Sequence, residues 1–300
     1  MRIPFLRRVV AVSSLAIALV LFGVARASAL PALWVVETPT SKVYLFGTVH
    51  ALKPGMTWHS AVMDAALAES QDLWLEIANP NDTAGLLSSM RDLCLDPAHP
   101  LSTQISTADV ALLDQRVKSL GLSGESSLES MRPWCLSAML VVLPMMHGGY
   151  SAASGADLNV RSAFTNAHKP VHGFETMDQQ LHFLADMPEA EQVAQLHRLL
   201  ASTGSSSSST PTAAVDDLVA LWYNGDVDRI ASVADAYARL DPTVSSTLLV
   251  QRNANFAKQI ADMLQQPGVS FVAVGALHFA GAQSVLADLE KLGYQAHRIQ

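Results

Sequence analysis

The chain has 300 residues, half of them apolar, with 19 basic against 27 acidic side chains and a net charge of −8. That apolar content excludes a disordered chain, and the acidic balance argues against a nucleic-acid binder that works through phosphate contacts. Two cysteines alone do not make a zinc motif.

The N-terminus has the pattern of a signal peptide. Arg2, Arg7 and Arg8 form a positive region, Val9 to Val24 an almost unbroken apolar one, and Ala27-Ser28-Ala29 a small-residue cleavage site. The alternative is an uncleaved anchor, but the apolar run, at about 16 residues, is short for the roughly 20 that span a bilayer. The expectation is removal of residues 1–29 and a single domain over 30–300, periplasmic or secreted, with no stable membrane span. The cleaved part takes Arg2, Arg7, Arg8 and Arg26 with it, so the mature charge is about −12. In an oxidising compartment Cys94 and Cys135 are a candidate disulfide; the alternative is two buried thiols.

The mature chain opens on a predicted hairpin. Leu33-Trp34-Val35-Val36 and Val43-Tyr44-Leu45-Phe46 are β-rich and flank the turn residues Thr38-Pro39-Thr40-Ser41. Gly47-Thr48-Val49-His50 follows. A helix is predicted over Trp58 to Glu69, capped by Thr57. Leu73 to Ile77 reads as a buried strand ended by Asn79-Pro80-Asn81-Asp82.

The middle reads as largely helical. Val110, Leu113, Val117 and Leu120 share one helical face. Pro133 to Leu143 is apolar, with Pro144 expected to stop it. Val160, Ala163, Phe164 and Ala167 repeat the helical spacing, with Asp157 near the N-cap. Pro170 to Phe174 is a further predicted strand, ending at Glu175. A flexible serine-rich loop is expected over 202–212. Helices with Val215, Leu218, Val219 and Trp222, and then Ile230, Val233, Ala234 and Tyr237, on one face follow it. Val269 to Val274 is a buried strand that runs into Gly275-Ala276-Leu277-His278. A helix through Ala282 to Leu289 and a last strand over Tyr294 to Ile299 complete the chain. The fold class is α/β (α+β): a mixed central sheet from N- and C-terminal strands with a helical middle.

One feature occurs twice: a buried strand runs into Gly-x-x-His, at Gly47–His50 and again at Gly275–His278. Both histidines lie just past the C-terminal end of a strand, the edge where open α/β sheets bind ligands. The glycines let the chain turn and let a ligand approach the backbone. If the two strands are neighbours the imidazoles converge, and two neutral imidazoles suit a divalent transition metal. Glu76 and Glu175 end strands that would present them at the same edge. Each taken alone also fits a polar strand end facing water. The remaining histidines read mostly as surface residues, with His147 able to line a loop over the site.

The run Tyr44 to His50, then Leu75-Glu76-Ile77, Gly173-Phe174-Glu175-Thr176 with Gln180 following, Gln251-Arg252-Asn253, and Val274 to Gly281 together resemble the TraB/GumN family, which includes the Tiki-type metalloproteases. Phe279 stands where many members carry leucine. The resemblance implies a divalent metal (Mn, Co or Zn) on His50, His278 and Glu76. Catalysis would fall to Glu76, Glu175 and Arg252, and Gly47, Gly275, Asn253 and Asp157 would support them. Arg252 would clamp a substrate carboxylate or an oxyanion with its fork, or else form a structural ion pair with a buried glutamate. The expected activity is an exported, peptidase-like hydrolysis of a peptide or small-molecule substrate. The alternatives are a non-catalytic periplasmic protein that binds a ligand or metal, and an accessory protein of polysaccharide production.

Overall fold

The computed structural model describes residues 30–79, 83–121, 128–202 and 211–300. The expected signal peptide, most of the Asn79–Asp82 turn and the interior of the serine-rich loop lie outside these residues. Positions 202, 211 and 212, expected in that loop, are helical.

Six strands form one sheet: β1 (Leu33–Glu37), β2 (Ser41–Thr48), β3 (Asp72–Ile77), β4 (Val171–Glu175), β5 (Gly268–Gly275) and β6 (His297–Arg298), in the order β4-β3-β5-β2-β1-β6. The expected hairpin is β1–β2, antiparallel, with Val36 opposite Val43. From β2 outwards β5, β3 and β4 all run parallel to their neighbours. The sheet is thus mixed, with four C-terminal strand ends on one edge. The last strand is shorter than the predicted Tyr294 to Ile299, and only Trp34 and Val35 pair with it.

Side chains alternate across the sheet, as a period of two requires. Leu33, Val35, Phe46, Leu73, Leu75 and Phe271 enter one core. Trp34, Val36, Val43, Leu45, Val272 and Val274 enter the other. Helices α1 (Ala61–Glu69), α5 (Ala156–Asn166) and α8 (Pro211–Tyr223) cover the first face. Helices α10 (Gln251–Leu264) and α11 (Val285–Lys291) cover the second. Because both faces are covered, these strands read as continuous apolar runs.

Between β3 and β5 the chain is mostly helical: α2 (Thr83–Cys94), α3 (Thr107–Ser119), α4 (Pro133–His147), α5, α6 (Met177–Ala185), α7 (Glu189–Ser202), α8, α9 (Val227–Leu240) and α10. Leu113, Val117, Leu136, Leu140, Leu196 and Leu200 make a separate small core there. Cys94 and Cys135 are disulfide-bonded and join the end of α2 to the start of α4.

Two boundaries depart from expectation. Helix α1 starts at Ala61, and its cap is Ser60, which accepts from the Met63 N–H, rather than Thr57. Pro144 does not end α4, which runs on to His147. Proline there costs one backbone hydrogen bond, but it stands in the last turn and is buried, so packing holds the turn together. Asp157 lies near the N-cap of α5, as expected: Gly155 is the cap, and Asp157 stands in the first turn with its side chain turned to the sheet edge.

Candidate functional site

The site lies where β2, β3, β4 and β5 end. Glu76 is the penultimate residue of β3, beside β5, and is buried. Its Oε1 accepts the Gly275 N–H at 2.7 Å, and its Oε2 accepts from Arg252 Nη2 at 2.6 Å and Gln180 Nε2 at 3.1 Å. His50, two residues beyond β2, and His278, in a 3-10 turn after β5, each turn Nε2 toward Glu76 Oε1. Both separations are 3.7 Å. The parallel register, Gly47 beside Val274 and Thr48 beside Gly275, brings the two motifs together.

The outer nitrogen of each ring is held by a hydrogen-bond acceptor. His50 Nδ1 lies 3.2 Å from Asp157 Oδ2. His278 Nδ1 lies 2.5 Å from Asn253 Oδ1, and Asn253 donates its own N–H to the Gln283 carbonyl at 2.6 Å. These acceptors put the proton on Nδ1 of each neutral ring and leave the Nε2 lone pair facing Glu76. A carboxylate or amide behind each histidine is the arrangement that orients metal-binding imidazoles.

Arg252 and Asn253 stand in the first turn of α10, and both are buried. Arg252 donates through Nε and Nη2 to Glu175, at 2.8 to 3.1 Å, through Nη2 to Glu76, and through Nη1 to the Leu248 carbonyl at 3.0 Å. Gln180 Nε2 bridges the same two carboxylates, reaching Glu175 Oε2 at 3.0 Å. The guanidinium is therefore committed to Glu76 and Glu175, which is the ion-pair arrangement, and Glu175 sits behind it. Glu175 lines a different cavity, away from the two histidines.

The electrostatics follow from this packing. Burial opposes ionisation of Glu76, but His278, His50, Arg252 and the Gly275 N–H hold its carboxyl below the usual carboxylate range. Desolvation would lower His50, but the Asp157 hydrogen bond and the Glu76 charge outweigh it and carry the imidazole up to about 9. That desolvation is confined to the ring's inner edge, since 64% of the side chain stays open to solvent. Burial pushes His278 down to about 4. One motif thus supplies an exposed, basic imidazole and the other a buried, neutral one.

The two glycines act through space rather than through a left-handed turn. Neither has a positive φ. A Cβ on Gly47 would stand 3.0 Å from the Ala276 backbone, so this glycine lets the two strand ends close on each other. A Cβ on Gly275 would stand 3.1 Å from Glu76 Oε1, 3.5 Å from His278 Cδ2 and 3.8 Å from His50 Nε2. It would fill the space that the three donor atoms share.

Among the described residues, no group of three or more His, Cys, Asp or Glu side chains is arranged so as to hold a metal ion as it stands. The donor chemistry still fits a cation, which would displace the proton of His50: two imidazole Nε2 atoms and an ionised carboxylate oxygen face a cradle that Gly275 leaves open. Two buried polar atoms nearby have no partner, Thr48 Oγ1 and Asp157 Oδ1. Their residues line a cavity of about 240 Å³ together with His50, Glu76 and Gln180. On the other side of His50 and Glu76 a cavity of about 370 Å³ is walled mainly by apolar side chains.

Sequence reasoning missed Gly155 and underused Gln180 and Asp157. A Cβ on Gly155 would collide with the His50 carbonyl at 2.3 Å, so only glycine admits the start of α5 here. A glycine immediately before a helical pattern was the available signal. Asp157 and His50 are 107 residues apart, and no spacing pattern joins them.

The profile of a family described as the TraB/PrgY/gumN family matches residues 32–298. No curated protein and no solved structure matches the chain.

Proposed function

The chain belongs to the TraB/PrgY/gumN family, and from that premise we propose that it is an exported, metal-dependent hydrolase of peptidase type. The observation that carries this reading is the convergence of His50 Nε2 and His278 Nε2 on Glu76 Oε1, at 3.7 Å each, beside a glycine whose missing side chain leaves room. His50, His278 and Glu76 would hold the ion. A divalent metal at such a site polarises a carbonyl and lowers the pKa of water toward 7.

The chain's own residues have separable parts. Asp157 and Asn253 fix the ring orientations and tautomers. Arg252 keeps Glu76 ionised and is itself held by Glu175, while Gln180 donates to both carboxylates, so we assign Arg252 and Glu175 to positioning rather than to contact with substrate. Asp157 Oδ1 is buried and has no hydrogen-bond partner among the described residues, so Asp157 acts through the His50 ring rather than on water directly.

Export is supported by the N-terminal sequence pattern and by the disulfide, which suits an oxidising compartment. Peptide as substrate rests on the motif resemblance to Tiki-type metalloproteases. No helix among the described residues is long and apolar enough to cross a membrane. A second reading, a binding protein that captures a metal or small ligand without turnover, is favoured by one fact: Arg252 is engaged by both glutamates and is not free to stabilise a developing oxyanion. The experiment is hydrolysis of a peptide library with Mn²⁺, Co²⁺ or Zn²⁺ by wild type, Glu76→Gln and Asp157→Asn. Metal-dependent cleavage lost in both variants is expected. Cleavage that both variants retain in full would contradict the assignment, and metal uptake without any cleavage would favour the binding protein.

A further inference from the structure

The apolar cavity beside the histidines has a shape that the hydrolytic reading leaves unexplained. Three helical segments wall it: α8 with Val215 and Leu218, the end of α4 with Met145, and the π-helical turn Ser246–Val250 with Leu248 and Leu249. All five are only partly buried, although they stand between packed helices. In the sequence, Val215, Leu218, Val219 and Trp222 read as an ordinary core face. In the fold, the inner half of that face, Val219 and Trp222, is buried, and the outer half faces empty space. The π turn matters here, because a widened turn lets consecutive leucines contribute to one wall; such turns are frequent at functional sites.

The cavity is blunt. Trp222 closes its floor, donating Nε1–H to the Gly47 carbonyl at 2.7 Å and packing on Phe46 and Trp58. Its lining includes His50, Glu76 and His278. At about 370 Å³ it is near the lower end of ligand pockets, which run from about 300 to 1,000 Å³. It therefore has room for one bulky side chain and some adjoining backbone.

We infer that this cavity is the specificity pocket of the enzyme, and that it receives a leucine-, methionine- or phenylalanine-sized side chain of a peptide substrate adjacent to the bond that is cut. The inference rests on the hydrolytic reading of the His50–Glu76–His278 centre. Apolar pockets discriminate on the order of 10- to 200-fold per methylene, so a peptide carrying leucine at the sensed position should be cut at least about tenfold faster than its alanine counterpart.

The test uses fluorogenic peptides varied one position at a time, with Mn²⁺, Co²⁺ or Zn²⁺, and wild type beside Val215→Phe and Leu249→Phe. Circular dichroism establishes that the variants are folded, and two variants from different walls guard against one failing. Wild type should prefer bulky apolar residues at one position, and each variant should reduce the leucine-to-alanine rate ratio at least about tenfold. Separately, 4-methylpentanamide and acetamide are titrated into wild type, and leucine methyl NMR shifts are read. Only the branched amide should move them, and Val215→Phe should abolish the response. Cleavage without apolar preference, or with rates that climb with the length of an N-acyl chain, overturns the pocket and leaves the hydrolase standing. No cleavage, with methyl shifts specific to the branched amide, overturns the hydrolase and leaves a pocket for apolar groups. No cleavage and no shifts overturn both.

Discussion

Glu76 concentrates three demands in one side chain: it ends β3, it binds the β5 backbone through Gly275, and it faces both imidazoles. With Glu175 it leaves two buried carboxylates against a single guanidinium, and the surplus negative charge is what a proton on His50 or a metal ion would balance. Removing the guanidinium in Arg252→Ala leaves both carboxylates unpaired and should cost about 3–5 kcal/mol. Glu76→Gln preserves shape and leaves Arg252 with Glu175, so about 1–3 kcal/mol is expected. Urea unfolding of metal-free protein measures both, and equal costs would contradict the ion-pair hierarchy.

The two histidines predict opposite limbs of a stability–pH profile. His50, raised to about 9, gives stability that is fully present below its unfolded value near 6.5 and is lost as pH rises through about 9. His278, held near 4, stays neutral where the unfolded imidazole takes a proton. Its contribution is therefore present above about 6.5 and drains away as pH falls toward 4. Metal-free protein should be most stable near pH 6.5, with the alkaline limb shallower because His50 is solvent-exposed. His50→Gln should flatten the alkaline limb and His278→Gln the acid one. A thermal midpoint that stays level from pH 5 to 9 would contradict this.

At the scale of elements, the disulfide ties α2 to α4 across 41 residues. Loop-closure entropy for that span is about 4 kcal/mol, an upper figure because native strain and denatured-state structure reduce it. The double variant Cys94→Ser/Cys135→Ser should lose about 2–4 kcal/mol of stability. Hydrogen exchange should rise first in the helical middle while β2, β3 and β5 stay protected. Uniform acceleration through the sheet would mean that the helices and the sheet unfold as one unit. Strands were the most legible elements because those under two covered faces are continuous apolar runs: β2, β3 and β5 were all visible in Val43 to Phe46, Leu73 to Ile77 and Val269 to Val274. Helix ends were less so. Thr57 and Ser60 are both competent caps, and only the fold shows that Ser60 takes the role. Pro144 breaks a local rule that burial overrides.

For the whole molecule, the α/β architecture was legible because all strands but β4 fell toward the two ends of the sequence and the helical spacings lay in the middle. The site was half legible. The paired Gly-x-x-His motifs announced themselves by repetition, and Glu76 and Glu175 by their positions at strand ends. The order of strands was not written in any local pattern, so nothing local said that β5 would come between β2 and β3 and set Glu76 beside Gly275. Nor could the sequence say that Arg252 would turn both carboxylates toward itself, or that Asp157 would reach back to His50 from α5. Contacts of this kind depend on tertiary packing alone.

The central claim is that His50, His278 and Glu76 together hold a divalent cation. The most direct measurement is metal content and Mn²⁺, Co²⁺ and Zn²⁺ titration of purified full-length protein, for wild type, His50→Ala and His278→Ala, with folding checked by circular dichroism. The account predicts one ion per chain in wild type and at least about a tenfold loss of affinity when either imidazole is removed. Wild type that takes up none of these ions, or folded variants that bind as tightly as wild type, would contradict it.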